Sequence, residues 1–404
     1  MKSKEKNIKF SLEKIKVITN IVIIILLIIL ILQRSGIFNN TFTIGKIGKN
    51  KLNNGELIIT EDGQVAQTVN ASNWDTSKVN IVADADGKNV PVPKGYVGSS
   101  VAGENKVNDG YVIYEGDSAV TSSNVSVART SRNQWVWIPV EHPDRIYEEV
   151  DGVKKSKLYL YGISGRAEYK NENYEPAIVP ESDTQTNLTN GGLSGMTPDK
   201  LHQELQQEFD STIESIKRYG GFYIGRYETG NLSQSKPAVI KLNRDINNQT
   251  WYTMYSKMKY LSANENVKTN MIWGCLWDEV IIWFIERRSL SYPEAVDNSS
   301  IWGNYLDSTF SYTRPSGNSD TKPANSGVLI PTGGSNYTKK QNIFDLSGNV
   351  WELTLEGDGI SGRTRRGGNS QNLSSNRPVS TRGSNTLPTD LRENLGTRAY
   401  LYIK

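Results

Sequence analysis

The residues best suited to chemistry in this chain lie in one stretch, Asn342-Ile343-Phe344-Asp345-Leu346-Ser347-Gly348-Asn349-Val350-Trp351-Glu352. Leu346 and Trp351 can bury, and Ser347-Gly348-Asn349 forces a turn. Asp345 and Glu352 bracket that turn with carboxylates. Two carboxylates and the backbone carbonyls freed at a tight turn can hold a hard cation such as Ca²⁺. The same residues can form a polar turn whose acids accept from backbone N–H groups. Spacing alone favours the polar turn.

Other chemistry is bounded by what is scarce. Cys275 is the only cysteine, and His142 and His202 are the only histidines. One cysteine excludes a disulfide framework, an iron–sulfur cluster and cysteine-rich zinc modules. Two histidines leave a Ser-His-Asp triad with almost nothing to draw on. Cys275 falls at a predicted helix start among Trp273, Leu276 and Trp277. A helix N-terminus lowers a thiol pKa, but the apolar neighbours favour a buried, inert thiol. Gly357-Asp358-Gly359-Ile360-Ser361-Gly362 matches G-x-G-x-x-G, yet Arg363 to Gly368 does not open a helix, so a loop is predicted. Asp84-Ala85-Asp86-Gly87 opens like a calcium loop but lacks the later ligands, and reads as a turn. Arg363, Arg365 and Arg366 read as a solvated strand with Glu356, Asp358 and Asp390 as acid partners. Asn369 to Asn385 is dense in Asn, Ser, Arg and Gln, side chains that suit an adaptable binding loop. Its candidate contact residues are Asn369, Gln371, Asn372, Ser374, Asn376, Arg377 and Arg382.

The elements that must position these residues begin after a basic N-terminus. Residues 1–34 hold seven basic and two acidic side chains, so the remaining chain carries a net charge of −2 and no electrostatic footprint for nucleic acid. Val17 to Leu32 is apolar except for Thr19 and Asn20. As a helix it spans about 24 Å, which Lys16 and Arg34 can extend by snorkelling towards a ~30 Å hydrocarbon core. The Gln33-Arg34-Ser35-Gly36 segment is a poor cleavage site, so residues 17–34 are read as an uncleaved signal anchor with the lysine-rich 1–16 segment in the cytoplasm. Phe10-Ser11-Leu12-Glu13 faintly resembles a prepilin leader. Residues 35–85 read as a stalk or small β element, and 86–404 as the main domain.

Within that domain, Gly110–Tyr114 and Gln134–Val140 read as strands, the second a core strand rich in aromatic and β-branched residues. Residues 142–195 are polar and read as a long insertion. A helix runs from Thr197 and Pro198 to the stop at Gly220-Gly221, with Leu201, Leu205, Phe209, Ile213 and Ile216 on one face. Further helices are predicted over Trp251–Leu261 and Leu276–Glu286, the latter with Leu276, Trp277, Val280, Ile281 and Phe284 as its stripe. Few helices, many short strands and much irregular chain give an α+β class.

Asn342–Glu352 resembles the Gly-Asn-Val-Trp-Glu signature of the formylglycine-generating enzyme (sulfatase-modifying factor) family, whose fold is an elaborated C-type-lectin-like domain. Other segments follow in that family's order. Trp135–Pro139 resembles its opening strand, and Gly221–Thr229 its Arg-Tyr-Glu-Val-Thr strand. Trp273–Glu279 sits where the family has a Leu-Pro-Thr-Glu-Ala-Glu-Trp helix. Arg366-Gly367-Gly368 and Leu395-Gly396-Thr397-Arg398 resemble its closing pair. The resemblance covers roughly residues 130–404, and Val90 to Val140 is similar to exported clostridial proteins that carry this domain. It implies a calcium ion held by the side chains of Asp345 and Glu352 and the carbonyls of Gly348 and Val350. It does not imply the enzyme. The family's oxidase chemistry uses two cysteines shortly after Arg-Gly-Gly-Ser to bind copper, and a soft Cu(I) site needs thiolates. The matching region here is Asn369 to Arg377, and no cysteine follows Cys275, so no copper is expected. Iron oxygenases among the relatives use several histidines, which this chain lacks. Variable proteins of diversity-generating retroelements share the fold and place Asn/Ser-rich variable positions in the segment that is 369–385 here.

The expectation is a single-pass membrane protein that displays a catalytically inactive, C-type-lectin-like domain outside the cell. Its partner would be a glycan, a peptide or a surface protein, and calcium would be structural. The alternatives are a divergent sulfatase-modifying-factor-type enzyme using Cys275, and a structural or pilus-like surface component.

Overall fold

Two β-sheets meet at a single residue near the end of the chain. The computed structural model describes residues 70–157 and 175–404. In chain order, β1 (Val79–Ala83) and β2 (Asn89–Pro93) form a hairpin. The Asp84 carboxylate accepts from the amides of Asp86, Lys88 and Val107 at 2.7–2.9 Å. The 84–87 segment is therefore an Asx-type turn, and a domain boundary at 86 would cut through this hairpin. β3 (Tyr96–Gly98), β4 (Val112–Glu115) and β5 (Gln134–Pro139) pair in antiparallel succession. A small hairpin, β6 (Tyr147–Val150) and β7 (Val153–Ser156), lies in the polar insertion.

The long helix Pro198–Tyr219 follows, then β8 (Gly221–Gly225), the helix Trp251–Met258, β9 (Val267–Met271) and the helix Gly274–Glu286. Two short hairpins come next: β10 (Phe310–Thr313) with β11 (Ser319–Lys322), and β12 (Lys339–Lys340) with β13 (Ile343–Phe344). The chain closes with β14 (Trp351–Gly357), β15 (Arg363–Arg366), β16 (Arg382–Thr386), β17 (Leu395–Thr397) and β18 (Ala399–Ile403).

The main sheet is antiparallel in the order β3-β4-β5-β8-β18-β9. The smaller sheet has the order β16-β15-β14-β17, with β17 parallel to β14. Only Arg398 separates β17 in one sheet from β18 in the other.

The long helix forms for the reasons its sequence contains. The Thr197 hydroxyl accepts from the Lys200 amide at 3.2 Å, Pro198 opens the first turn, and Gly220 ends the helix at φ 82°. Its five apolar residues are fully buried, against β8 and β18. Each such side chain contributes about 1.5–3 kcal/mol of transfer free energy. The Gly274–Glu286 helix differs from the amphipathic element expected. Every residue from Gly274 to Phe284 is buried, because the helix is packed between β5 of the main sheet and β14 and β15 of the smaller one. A helix covered on two sides has no solvent stripe.

The class is mixed α and β, as predicted, with long irregular connections. Among the described residues no helix is long and apolar enough to cross a membrane. The expected span at 17–34, the 1–16 segment and residues 35–69 of the expected stalk lie outside the described residues.

Candidate functional site

The Asp345–Glu352 turn is held by left-handed backbone and by side chains reaching in from four other segments. Asp345, Gly348 and Asn349 all have positive φ, at 57°, 77° and 60°. Asparagine and aspartate tolerate this region better than most residues. At Gly348 the reason for glycine is also steric, since a Cβ there would lie 2.2 Å from the Asn304 carbonyl oxygen. The Asn349 side chain uses both of its ends. Its oxygen accepts from Asn304 Nδ2 at 2.9 Å and from the Ile330 amide at 3.1 Å. Its nitrogen donates to Glu228 Oε2 at 2.7 Å and to the Ile330 carbonyl at 3.3 Å. The Val350 amide donates to the other oxygen of Glu228 at 3.3 Å.

The two carboxylates that bracket the turn are both buried. Asp345 accepts from the hydroxyls of Thr338 (2.6 Å) and Thr332 (3.1 Å) and from the Gly333 amide (2.6 Å). Glu352 accepts from Arg398 through Nε at 3.0 Å and Nη2 at 2.7 Å. Arg398 also donates to the carbonyls of Gly225 and Phe344, at 2.9 and 2.8 Å, and so ties β8, β13 and β14 together. Burial pushes the Glu352 carboxyl up to about 7 against the opposing pull of Arg398. Burial, then the neighbouring Asp345 and Glu352 carboxylates, push Glu228 well above the usual range. Burial likewise raises Asp345, against its three donors.

Ca²⁺ takes six to eight oxygen ligands. Here the Glu352 oxygens are engaged by a guanidinium and the Asp345 oxygens by hydroxyls and an amide, so as arranged the pair does not fit the expected ion. Among the described residues no group of three or more His, Cys, Asp or Glu side chains is placed to hold a metal.

The loop after Gly368 is tied to this turn. The Ser370 amide donates to the Asn349 carbonyl (3.0 Å), and the Gly348 amide donates to the Gly367 carbonyl (2.9 Å). The structure divides the seven expected contact residues. Gln371 and Asn376 are exposed, and Asn372 and Arg377 are half-buried. Asn369, Ser374 and Arg382 are inside. Asn369 Oδ1 accepts from the Gln371 amide and so shapes the loop. The Ser374 hydroxyl reaches Asp307 and Asn298 at 2.8 and 2.7 Å and anchors it. Arg382 lies 3.2 Å from the buried Glu356. These three support the loop from beneath and do not reach its surface.

The Arg363–Arg366 run is a strand, but not a solvated one. Arg363 and Arg366 are fully buried and paired with Asp183 and Asp278, which sequence reasoning did not connect to them. Arg365 is half-buried, its guanidinium 5.0 Å from the Trp351 ring centroid. Cys275 is sealed in at the start of its helix. Burial, then Glu356 and Asp278, push its thiol well above the usual value. Gly357–Gly362 is the β14–β15 connection and no helix follows it. A separate groove of about 990 Å³ lies between the long helix and the end of β18, lined by Asn70, Asp210, Arg218, Tyr219, Tyr402 and Lys404 among others.

No family model matches the chain, and no curated protein matches it.

Proposed function

We propose that this chain is a binding protein: a non-catalytic relative of the formylglycine-generating enzymes, with a C-type-lectin-like domain displayed outside the membrane by residues 17–34. One observation carries the reading. Segments that resemble the family are spread over some 260 residues of sequence, and they converge. Trp135–Pro139 and Gly221–Gly225 lie in the adjacent strands β5 and β8, and Leu395–Thr397 pairs with Trp351–Leu353 of β14. Arg398 grips Glu352, and Gly367 receives the Gly348 amide. The lone thiol is buried beside two carboxylates, an environment that disfavours the thiolate. The loop above the turn presents Gln371, Asn372, Asn376 and Arg377 to solvent, and rigidly seated polar loops are the usual vehicle of recognition.

The partner in this reading is a glycan, a peptide or a surface protein. Calcium enters only if Glu352 exchanges Arg398 for the ion. Stripping with EDTA and returning Ca²⁺ while following thermal unfolding decides that. The geometry predicts no shift, and a Ca²⁺-dependent rise would place the ion in the turn. The function is tested by screening the full chain in detergent against glycan and protein arrays. A Gln371→Ala/Asn376→Ala variant is expected to lose the hits with its unfolding midpoint unchanged. Hits that survive this variant would move the site elsewhere.

A further inference from the structure

Residues 35–404 carry a slight net negative charge, so nothing general gathers cations on this domain. Yet three arginines collect where the smaller sheet meets the loop. Arg365 lies across Trp351, 5.0 Å from its ring centroid. Gly383 on the neighbouring strand makes room, since a Cβ there would stand 2.9 Å from Arg365 Nε. Arg365 Nη1 donates to the Thr386 hydroxyl, while Nε is buried with no hydrogen-bond partner. Among the described residues no carboxylate pairs with Arg365. Arg392 arrives from the chain before β17. The Trp351 amide donates to the Asn394 carbonyl at 2.8 Å, and Leu395 is in register with Trp351. Arg377 arrives from the other side, its backbone packed closely on Gly368, just past β15. Burial, then the fields of Arg392 and Arg377, hold the Arg365 guanidinium down to about 10, with Asp390 alone opposing them. Asp390 is itself bonded to Arg392 at 2.6 Å. Two further guanidiniums and one carboxylate thus bear on Arg365.

We propose that this face, Arg365, Arg377 and Arg392 around Trp351, binds an acidic polysaccharide through its carboxylate or sulfate groups. The proposal rests on the binding reading above and names the ligand class for the same loop. A guanidinium fork matches the planar carboxylate and the sulfate oxygens with paired donors. The exposed amides of Gln371 and Asn376 add donors and acceptors for sugar hydroxyls. Three cations are too few for a nucleic-acid backbone, where about 6–10 phosphate contacts are typical of tight binding.

The test uses the full chain in a neutral detergent over immobilised heparin, polygalacturonate, dextran, duplex DNA and polyglutamate. Binding is expected to heparin, to polygalacturonate or to both, which separates sulfate from carboxylate recognition, and not to dextran. Raising sodium chloride from about 50 to about 500 mM should weaken it on the order of tenfold or more. Arg377→Gln/Arg392→Gln, which leaves the buried Arg363 and Arg366 untouched, should weaken it by about tenfold with an unchanged unfolding midpoint. Arg365→Gln is the deeper probe, interpreted only if its midpoint also holds. Dextran binding alone, or a double variant that binds like wild type, overturns the inference and leaves the binding reading standing. Preference for DNA or polyglutamate overturns the assignment to polysaccharide. Binding to none of the five overturns the inference, and the array screen then decides the broader reading separately.

Discussion

Asn349 joins three segments because a carboxamide has two acceptor and two donor positions, and all four are used here, on Asn304, Ile330 and Glu228. Its neighbour Gly348 is fixed by a contact that leaves no room for a Cβ. Asn349→Ala would strand several buried polar groups at once. The expected loss is about 3 kcal/mol or more of unfolding free energy, read by chemical denaturation. A loss below about 1 kcal/mol would mean that water replaces the amide without cost. Gly348→Ala should be at least as damaging, because it combines positive φ with a clash against backbone. These positions were legible as a turn from Ser-Gly-Asn and the flanking acids. What the acids do was not. Glu352 meets Arg398 across 46 positions of sequence, and spacing within the turn carries no signal for such a partner.

At the scale of elements, β15 shows why the proposed binding face was only half visible. Strict alternation would put Arg363 and Arg365 on one face of the strand. The register of β15 shifts between them, against both β14 and β16. Arg363 pairs with Asp183 and packs 3.7 Å from the centre of the Trp251 ring, while Arg365 lies half-buried over Trp351. No composition rule foresees a bulge of this kind, whereas the capped helix Pro198–Tyr219 and the core strand β5 were legible almost to the residue. The Asp183–Arg363 pair also answers what the polar insertion does at its C-terminal end. Asp183 sits on β15, and the Glu181 amide donates to the Ile360 carbonyl at 3.2 Å, so this part covers the far end of the smaller sheet. Asp183→Asn leaves the fully buried Arg363 charge unpaired. It should cost about 3–5 kcal/mol and speed amide exchange across 175–195. Unchanged exchange there would show that the segment is held by other contacts.

The whole molecule is built around buried ionisable groups, and its pH dependence follows from them. Burial raises Glu208 to about 7, Asp278 to about 6 and Glu279 to about 8. An acid raised in the folded state binds a proton that the unfolded chain has already released, so stability falls as pH climbs through that window. Glu104 works in the opposite sense. Arg226 and Arg129 overcome its burial and hold it down to about 2, so its contribution is lost only on strong acidification. The unfolding midpoint should therefore peak near pH 5 and drop by several degrees towards pH 8. Glu208→Gln keeps one acceptor oxygen for Asn270 and turns the other end into a donor towards the Tyr400 hydroxyl, and should flatten the decline. A midpoint that rises towards pH 8 would contradict these assignments.

The claim that joins all three scales is that the loop above the Asp345–Glu352 turn is where this protein meets its partner. Hydrogen-exchange footprinting of the full chain, with and without the best ligand from the array screen, tests it most directly. The account predicts new protection concentrated in 365–377 and 387–394, with the 402–404 end and the groove at Asn70 and Tyr219 unchanged. Protection centred on that groove, with the loop unaffected, would contradict it.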